Sequence, residues 1–587
     1  MNPVEFYTQA KATFETELVQ LKKRLALFST IRLAVFLLTG LGIYLTMATP
    51  LNSAIVFIVG AVVFGFLIVK HSDLVKKRDV ILQKIEINRI ELTVFEGKFI
   101  SREVGFDFID SNHAFSHDID LFGERSFFNY INRTVTESGK QELANTLSSN
   151  EIDSIEKKQE AITELAKKVE WRQHFSALAG LVRVGQSSKL IADYILNYKT
   201  VFSKNLSKLP LLFSILSTLI IGLVAFQVIA FNILVLWFFI GLGIAIFFLK
   251  KTQKIYTDSN KAKDTFDQYY QLLQEIEKVE FSSEVLQEKR QKIQTEKQKA
   301  SEIFERFAKI LNRYDHRNNI FVALLGNALF LWDLKNACDV EKWIGDYKNV
   351  VQEWFEVVAF FDAQNSLANY CFNHPEYNFP KISQDIIIKA TSLGHPLLKP
   401  ESRVDNDFEI DQEKFYIITG ANMAGKSTFL RTIGISIVMA NVGLPVCAES
   451  FEYKPIKLIT SMRTTDSLAD NESYFYSELK RLKFIVDLMK DDEYFIILDE
   501  ILKGTNSKDK ASGSKKFVEK LVSFSSTGII ATHDVSLCEL EKEYSQIENY
   551  FFEAEIKEDE LFFDYILKQG ICKNMNASFL LKKMEII

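Results

Sequence analysis

At 587 residues the chain is longer than a single hydrophobic core organises, and the length suggests roughly three or four units. A net charge of −6 gives no overall basic signature for nucleic acid. Five widely spaced cysteines (Cys338, Cys371, Cys447, Cys538, Cys572), with no C-x-x-C pair, argue against a disulfide framework or a zinc site and for buried, reduced thiols.

Residues 1–31 read as a polar amphipathic helix. No secretory signal fits, because the apolar run starts too late. Leu33 to Val69 is 37 residues without Asp, Glu, Lys or Arg, broken in the middle at Thr49-Pro50-Leu51-Asn52-Ser53. Leu209 to Leu249 is a second uncharged block, 41 residues long and weakly broken near Gln227. Each half of each block is about long enough to cross a bilayer, which takes roughly 17–25 residues. Four spans in two hairpins follow; the competing reading is two hairpins buried in a large soluble core. Lys22, Lys23, Arg24, Arg32, Lys70, Lys76, Lys77 and Arg78 flank the first block, and Lys204, Lys208, Lys250, Lys251 and Lys254 the second. The turns carry no Lys or Arg, so the positive-inside rule places both termini and the intervening region in the cytoplasm. The expected location is multi-pass in an inner or plasma membrane. Spans without acidic or basic residues argue against an ion pathway, so the hairpins read as anchors.

Beyond the first block, Ser116 to Gly123 reads as a loop, and a helix starts near Thr136. Phe266, Tyr269, Leu273 and Ile276, then the charged stretch Glu284 to Lys299 and Ile303, Phe307 and Ile310, predict long, partly exposed helices of lever or coiled-coil type. Phe321 to Trp332 is an apolar run too short to span, for which a buried helix is expected. Trp343, Tyr347, Val350, Trp354, Val358 and Phe361 form a further stripe at helical spacing, as in a core. From about Gln384, short β-rich runs alternate with helices.

That last region carries the chemistry. Gly420-Ala421-Asn422-Met423-Ala424-Gly425-Lys426-Ser427-Thr428 fits G-x-x-x-x-G-K-[ST], a loop whose backbone N–H groups wrap nucleotide phosphates. An apolar strand precedes it and a helix follows, as the motif requires. Lys426 is expected to pair with the β/γ-phosphates and Ser427 to ligate Mg²⁺. Tyr494 to Leu498 is a buried-strand pattern ending in Asp499 and Glu500, which puts Asp499 near the metal and Glu500 in place to orient or deprotonate water. A third strand, Gly528 to Ala531, delivers His533, expected to sense the γ-phosphate. No N-K-x-D motif follows, so ATP rather than GTP is the expected nucleotide.

Thr419 to Arg431 (TGANMAGKSTFLR) resembles the phosphate loop of the MutS family of DNA mismatch-repair ATPases, T-G-x-N-M-x-G-K-S-T-x-L-R. Leu498 to Thr505 resembles that family's L-D-E-x-G-R-G-T, and Ala531-Thr532-His533 its A-T-H. Ser473 to Glu478 resembles its S-T-F-x-x-E, in which the serine reaches the γ-phosphate of the neighbouring subunit. Gly394-His395-Pro396-Leu397 and Asn406-Asp407 also match. The likeness is dense from about residue 390 to 535. It implies an ABC-type ATPase that dimerises to form composite ATP sites, and DNA as a partner. Four departures accompany it. No room is left before residue 33 for a mismatch-reading domain, no connector is seen, and the second apolar block falls about where the family's DNA clamp would be. Leu502 and Lys503 stand where the family has Gly and Arg.

The resulting expectation is an α/β P-loop (ABC-type) ATPase domain C-terminal to an all-α core and lever region, with two transmembrane helical hairpins. Its segments are 1–31 (cytoplasmic helix), 32–70 (first hairpin), 71–208 (core and lever, first part), 209–250 (second hairpin), 251–385 (core and lever, second part) and 386–587 (ATPase domain). The function expected is ATP hydrolysis by a membrane-anchored homodimer that binds DNA. The rivals are an ATP-dependent membrane scaffold and a transporter-like protein, the latter disfavoured because an L-S-G-G-Q signature is missing.

Overall fold

The computed structural model describes residues 2–100, 102–182, 187–203, 205–294, 298–463, 474–557 and 560–572. The first two helices, Pro3–Leu45 and Pro50–Phe95, run 43 and 46 residues and turn at Thr46–Thr49 with Pro50 at the first helical position. Neither breaks at residue 31 or 70, so the polar and apolar parts are single rods. A helix keeps its backbone hydrogen bonds internal whatever the side chains meet, so a change of polarity is no reason to stop. The second block forms helices Leu209–Ala225 and Phe231–Asn260, joined through Gln227 at φ +60°. All four are long and apolar enough to cross a membrane, by length and composition. The rest of the protein does not cover them: Phe36, Phe57, Phe66, Phe239 and Phe247 are all largely exposed. This overturns the reading of two buried hairpins.

The polar ends of the first hairpin are tied into the body. Tyr7, fully buried, donates its hydroxyl to Asn373 Oδ1 at 2.7 Å. Asn88 and Gln173 exchange amide hydrogen bonds at 3.2 and 3.1 Å, and buried Glu91 pairs with Arg133. Breaking such a buried pair from one side costs about 3–5 kcal/mol, because a charge is left without its partner.

Among the described residues, the expected long lever or coiled coil after the second block is not found. Lys263–Lys278, Glu284–Ile293, Ala300–Asp315 and Trp332–Tyr347 are short helices that pack with Val351–Asn373 around one aromatic core. Phe266, Phe304, Phe307, Trp343 and Phe355 meet there ring to ring, and Phe307 stacks on Trp343 at 3.9 Å. The stripe at 266–276 faces these helices rather than a coiled-coil partner, and Ser283 caps a fresh helix where a rod would continue. The helix expected at Phe321 to Trp332 is broken and only half buried: a π-helical turn, Val322–Gly326, leads into Asn327–Phe330, with Ile320 and Phe321 exposed and Ala328 and Leu331 buried.

The C-terminal domain opens with β1 (Lys381–Ile382), β2 (Ile386–Leu393), β3 (Asn406–Asp411) and β4 (Phe415–Gly420). Helix Lys426–Val442 follows, then β5 (Ser450–Tyr453), β6 (Lys457–Ser461), helix Tyr474–Leu488 and β7 (Tyr494–Asp499). Helix Ser507–Ser523, β8 (Thr527–Ala531), β9 (Ile547–Lys557) and β10 (Glu560–Gln569) complete it. The main sheet has the order β10-β9-β4-β8-β7-β6, parallel apart from the β9/β10 hairpin. Alternation along β4 sorts its two faces. Tyr416 and Ile418 pack under helix Lys426–Val442, while Phe415 and Ile417 pack against helices Tyr474–Leu488 and Ser507–Ser523. A smaller sheet, β1-β5-β2-β3, lies beside it.

Candidate nucleotide site

Three parallel strands end level with one another. Ile418 of β4 is opposite Ala531 of β8, which is in turn opposite Asp499 of β7. The ladder continues past the strand ends through Thr532 N–H to the Ile418 carbonyl and Glu500 N–H to the Ala531 carbonyl, both 2.9 Å. The residues after each strand therefore emerge together at the carboxyl edge of the sheet, where ligands bind in open α/β folds.

Gly420 (φ +153°) begins the loop, and a Cβ there would lie 2.7 Å from the Phe552 carbonyl oxygen. Gly425 (φ +102°) closes it and caps the helix that starts at Lys426. Gly420, Ala421, Asn422, Met423, Ala424, Gly425, Lys426, Ser427 and Thr428 thus form a strand–loop–helix turn, with the helix N-terminus facing the cavity. Lys426 is buried, and its Nζ donates to the carbonyls of Gly420 (2.9 Å) and Ala421 (3.0 Å). Burial holds its pKa below the usual lysine value. Ser427 Oγ donates to Asp499 Oδ2 at 2.6 Å. His533 Nε2 lies 2.8 Å from Glu500 Oε1 and 3.5 Å from Lys426 Nζ. The hydrogen bond from His533 pulls the Glu500 carboxyl down to about 2, so it stays ionised. The cavity over these groups measures about 580 Å³, within the roughly 300–1,000 Å³ usual for ligand sites.

Lys426, Ser427, Asp499, Glu500 and His533, expected from sequence to act together, are therefore neighbours. Ser473 lies outside the described residues. Glu478 of the same signature is buried and accepts the Lys503 N–H at 3.2 Å, tying helix Tyr474–Leu488 to the loop after β7. Leu502 has φ +59°, a conformation glycine takes freely and which costs a leucine roughly 1–2 kcal/mol. Its side chain is buried with Ile501 and Val518, which offsets that strain.

Two lining residues, Tyr565 and Val404, carried no signal in the sequence, whereas His395 and Lys503 fell within motifs. Tyr565, Lys503, His395 and Val404 border the cavity. Tyr565 sits at a bulge in β10, with φ +55°, and its ring reaches within 3.0 Å of where a Gly425 Cβ would be. Asn406 fixes that bulge by donating to the Tyr565 carbonyl (3.0 Å) and accepting the Leu567 N–H (2.7 Å). Asn406 was legible as part of a motif, but the ring it positions was not. Burial drives His395 down to about 4, so it stays neutral beside the cavity.

Ser427 and Asp499 bring two hard oxygens together, a donor set suited to Mg²⁺. Among the described residues there is no cluster of three or more His, Cys, Asp or Glu.

The loop Ser116 to Gly123 connects this domain to the helical body. Asp118 accepts from Thr460 Oγ1 (2.6 Å) and the Arg463 N–H (2.8 Å). Asp120 bridges Arg431, on the phosphate-loop helix, and Arg463, at 3.0 and 2.6 Å.

Residues 416–583 match the family described as MutS domain V. Over that stretch the chain carries a MutS domain V. It is 33% identical over 220 residues to a DNA mismatch repair protein MutS of Thermotoga maritima, covering 37% of this chain and 27% of that one. To a human protein described as MutS protein homolog 4 it is 28% identical over 260 residues, 42% of this chain and 27% of the relative. A MutS of Acetivibrio thermocellus gives 30% over 241 residues, 40% and 28%. The chain thus spans little more than a quarter of the length of these relatives. The P-loop, the acidic strand end and His533 all fall within the MutS domain V stretch.

Proposed function

We propose that this chain is a membrane-anchored MutS-type ATPase that hydrolyses ATP with Mg²⁺, works as a homodimer with composite sites, and binds DNA. The observation that carries hydrolysis is the row of level strand ends, which brings an ionised Glu500 to the edge that also bears Lys426, Ser427, Asp499 and His533. Backbone N–H groups of the loop cradle phosphates. Lys426 leaves its two carbonyls to pair with them, and Tyr565 offers a flat ring to the base. Ser427 and Asp499 would hold Mg²⁺, which would supply positive charge beside the phosphate oxygens. Glu500, steered by His533, orients or deprotonates the attacking water. In a dimer, Ser473 of each subunit would reach the other's site, as its motif implies.

The exposed apolar faces of both hairpins support the membrane reading, since surfaces of this size in water promote aggregation. In this reading the spans are anchors, with the ATPase domain and both termini cytoplasmic. The DNA reading rests on the names of relatives, among them DNA mismatch repair proteins.

Purified full-length protein in detergent should turn over ATP. Glu500→Gln should lose about 10²–10⁴-fold in turnover while still binding ATP; unchanged turnover would remove Glu500 from the chemistry. Homoduplex, mismatched and branched DNA should bind with affinity that falls as salt rises. No salt-sensitive binding to any of them would leave an ATP-dependent membrane scaffold instead.

A further inference from the structure

The twelve residues Ile320–Leu331 contain no Asp, Glu, Lys or Arg, yet the protein buries only Asn327, Ala328 and Leu331 among them. Ile320 and Phe321 are 75% and 71% exposed, and Leu324 and Leu325 about half. This apolar surface is continuous with that of the second hairpin, because Asn327–Phe330 packs against both of its helices. The approach is close enough to require glycine: a Cβ on Gly241 would lie 2.0 Å from the Ala328 carbonyl oxygen. Gly241 lies nine residues before Lys250, the first charge on that helix, which is roughly 13 Å of helical rise. Ala328 therefore sits nearly halfway along an apolar block matched to a hydrocarbon core about 30 Å thick.

The segment meets the requirements of a non-aqueous setting. Its π-helical and α-helical turns bond their own backbone. Its one amide side chain is satisfied internally: Asn327 Nδ2 donates to the Ala323 carbonyl at 2.8 Å, and Asn327 Oδ1 accepts the Asp333 N–H at 2.9 Å. Charge reappears only at the base, where Arg317 and Asp333 pair at 3.0 Å and the guanidinium lies 4.9 Å from the Tyr256 ring centre. Trp332, at the same level, donates its indole N–H to the Arg313 carbonyl. A paired charge and a tryptophan at the foot of an uncharged loop are what a water–lipid boundary favours.

We propose that Ile320–Leu331 is a re-entrant membrane element. It enters the cytoplasmic leaflet beside the second hairpin, reaches about mid-depth and returns, with lipid acyl chains covering its exposed face. This rests on the reading of the hairpins as membrane spans, and the experiment separates the two.

Full-length protein is reconstituted in lipid nanodiscs and labelled with a polarity-sensitive fluorophore at Leu325→Cys, at Phe239→Cys in the hairpin, or at Ser512→Cys on the outer surface of the nucleotide domain. Burial pushes the native thiols Cys338 and Cys538 up to about 12 and Cys371 up to about 11, which disfavours their labelling; unsubstituted protein gives the background. Quenching by lipids brominated along the acyl chain should be at least threefold stronger at Leu325→Cys than at Ser512→Cys, matching Phe239→Cys, and aqueous iodide should spare both. Iodide quenching at Leu325→Cys, with Phe239→Cys still quenched by lipid, would overturn the re-entrant element and leave the spans. Shielding of Leu325→Cys from both quenchers would also overturn it, in favour of a protein partner or a second copy of this chain. Iodide quenching at Phe239→Cys would remove the spans and the element together.

Discussion

At the nucleotide pocket, side chains from three strand ends meet within hydrogen-bond distance, whereas the hairpins offer long apolar faces with few polar partners beyond their own turns. Position carries the meaning in the first region and composition in the second. Moving Glu500 by one residue would destroy its contact with His533, but exchanging Phe36 for Leu37 would alter little. A substitution should therefore act locally and by chemistry in the pocket, and through polarity in the hairpins.

Lys426→Ala should break the pocket side most completely, weakening ATP binding by a hundredfold or more, with the helical content of the protein unchanged. Titration of ATP followed by equilibrium dialysis reads this, and retained affinity would end the phosphate-loop assignment. On the other side, Phe239→Arg should cost membrane insertion about 2.5–3.5 kcal/mol. Alkaline extraction of membranes would report it, and ATP affinity of the solubilised variant should stay within about twofold of wild type. A loss of both together would mean the regions are not separable.

A subtler test lies in pH. The Glu500 carboxyl is held below its ordinary range, so the ionised form is complete above that range and is lost only as pH falls toward about 2. His533→Ala removes the main cause and should raise that pKa. The acidic limb of the pH–rate profile should then move upward, toward the usual glutamate value near 4.3. A profile that merely drops in height would make His533 a contact without electrostatic effect. The smallest change is expected for Tyr565→Ala. Losing one ring against the base is worth about 0.5–1.5 kcal/mol, a two- to twelvefold rise in KM with kcat little altered; an unchanged KM would place the base elsewhere.

The same contrast explains what could be read in advance. Asp499, Glu500 and His533 were legible because each ends an apolar run, and parallel pairing levels such ends. Tyr565 was not: its place depends on two hydrogen bonds to Asn406, some 160 residues earlier, and a tyrosine in a β-hairpin has no periodicity of its own. The buried helix expected at Phe321 to Trp332 failed for a related reason. Twelve uncharged residues look alike whether they are buried or exposed, and only the fold shows Ala328 packed on Gly241 while Ile320 and Phe321 stay exposed. The lever reading of 266–310 had the right faces but the wrong partner. Stripe spacing identifies a helix with a sticky side and says nothing about whether that side meets one helix or four.

The first hairpin, finally, is a pair of unbroken rods. Tyr7 fixes one and Glu91 and Asn88 fix the other, all in the same helical body. Helix Pro3–Leu45 is about 65 Å long, so pivoting it by ten degrees at its foot displaces its far end by roughly 11 Å. In the membrane-anchored form proposed above, that end would be held in lipid and the bilayer would be the fixed frame. A ten-degree tilt at the foot would then swing the rest of the protein by that distance, like a pendulum on a stiff stem.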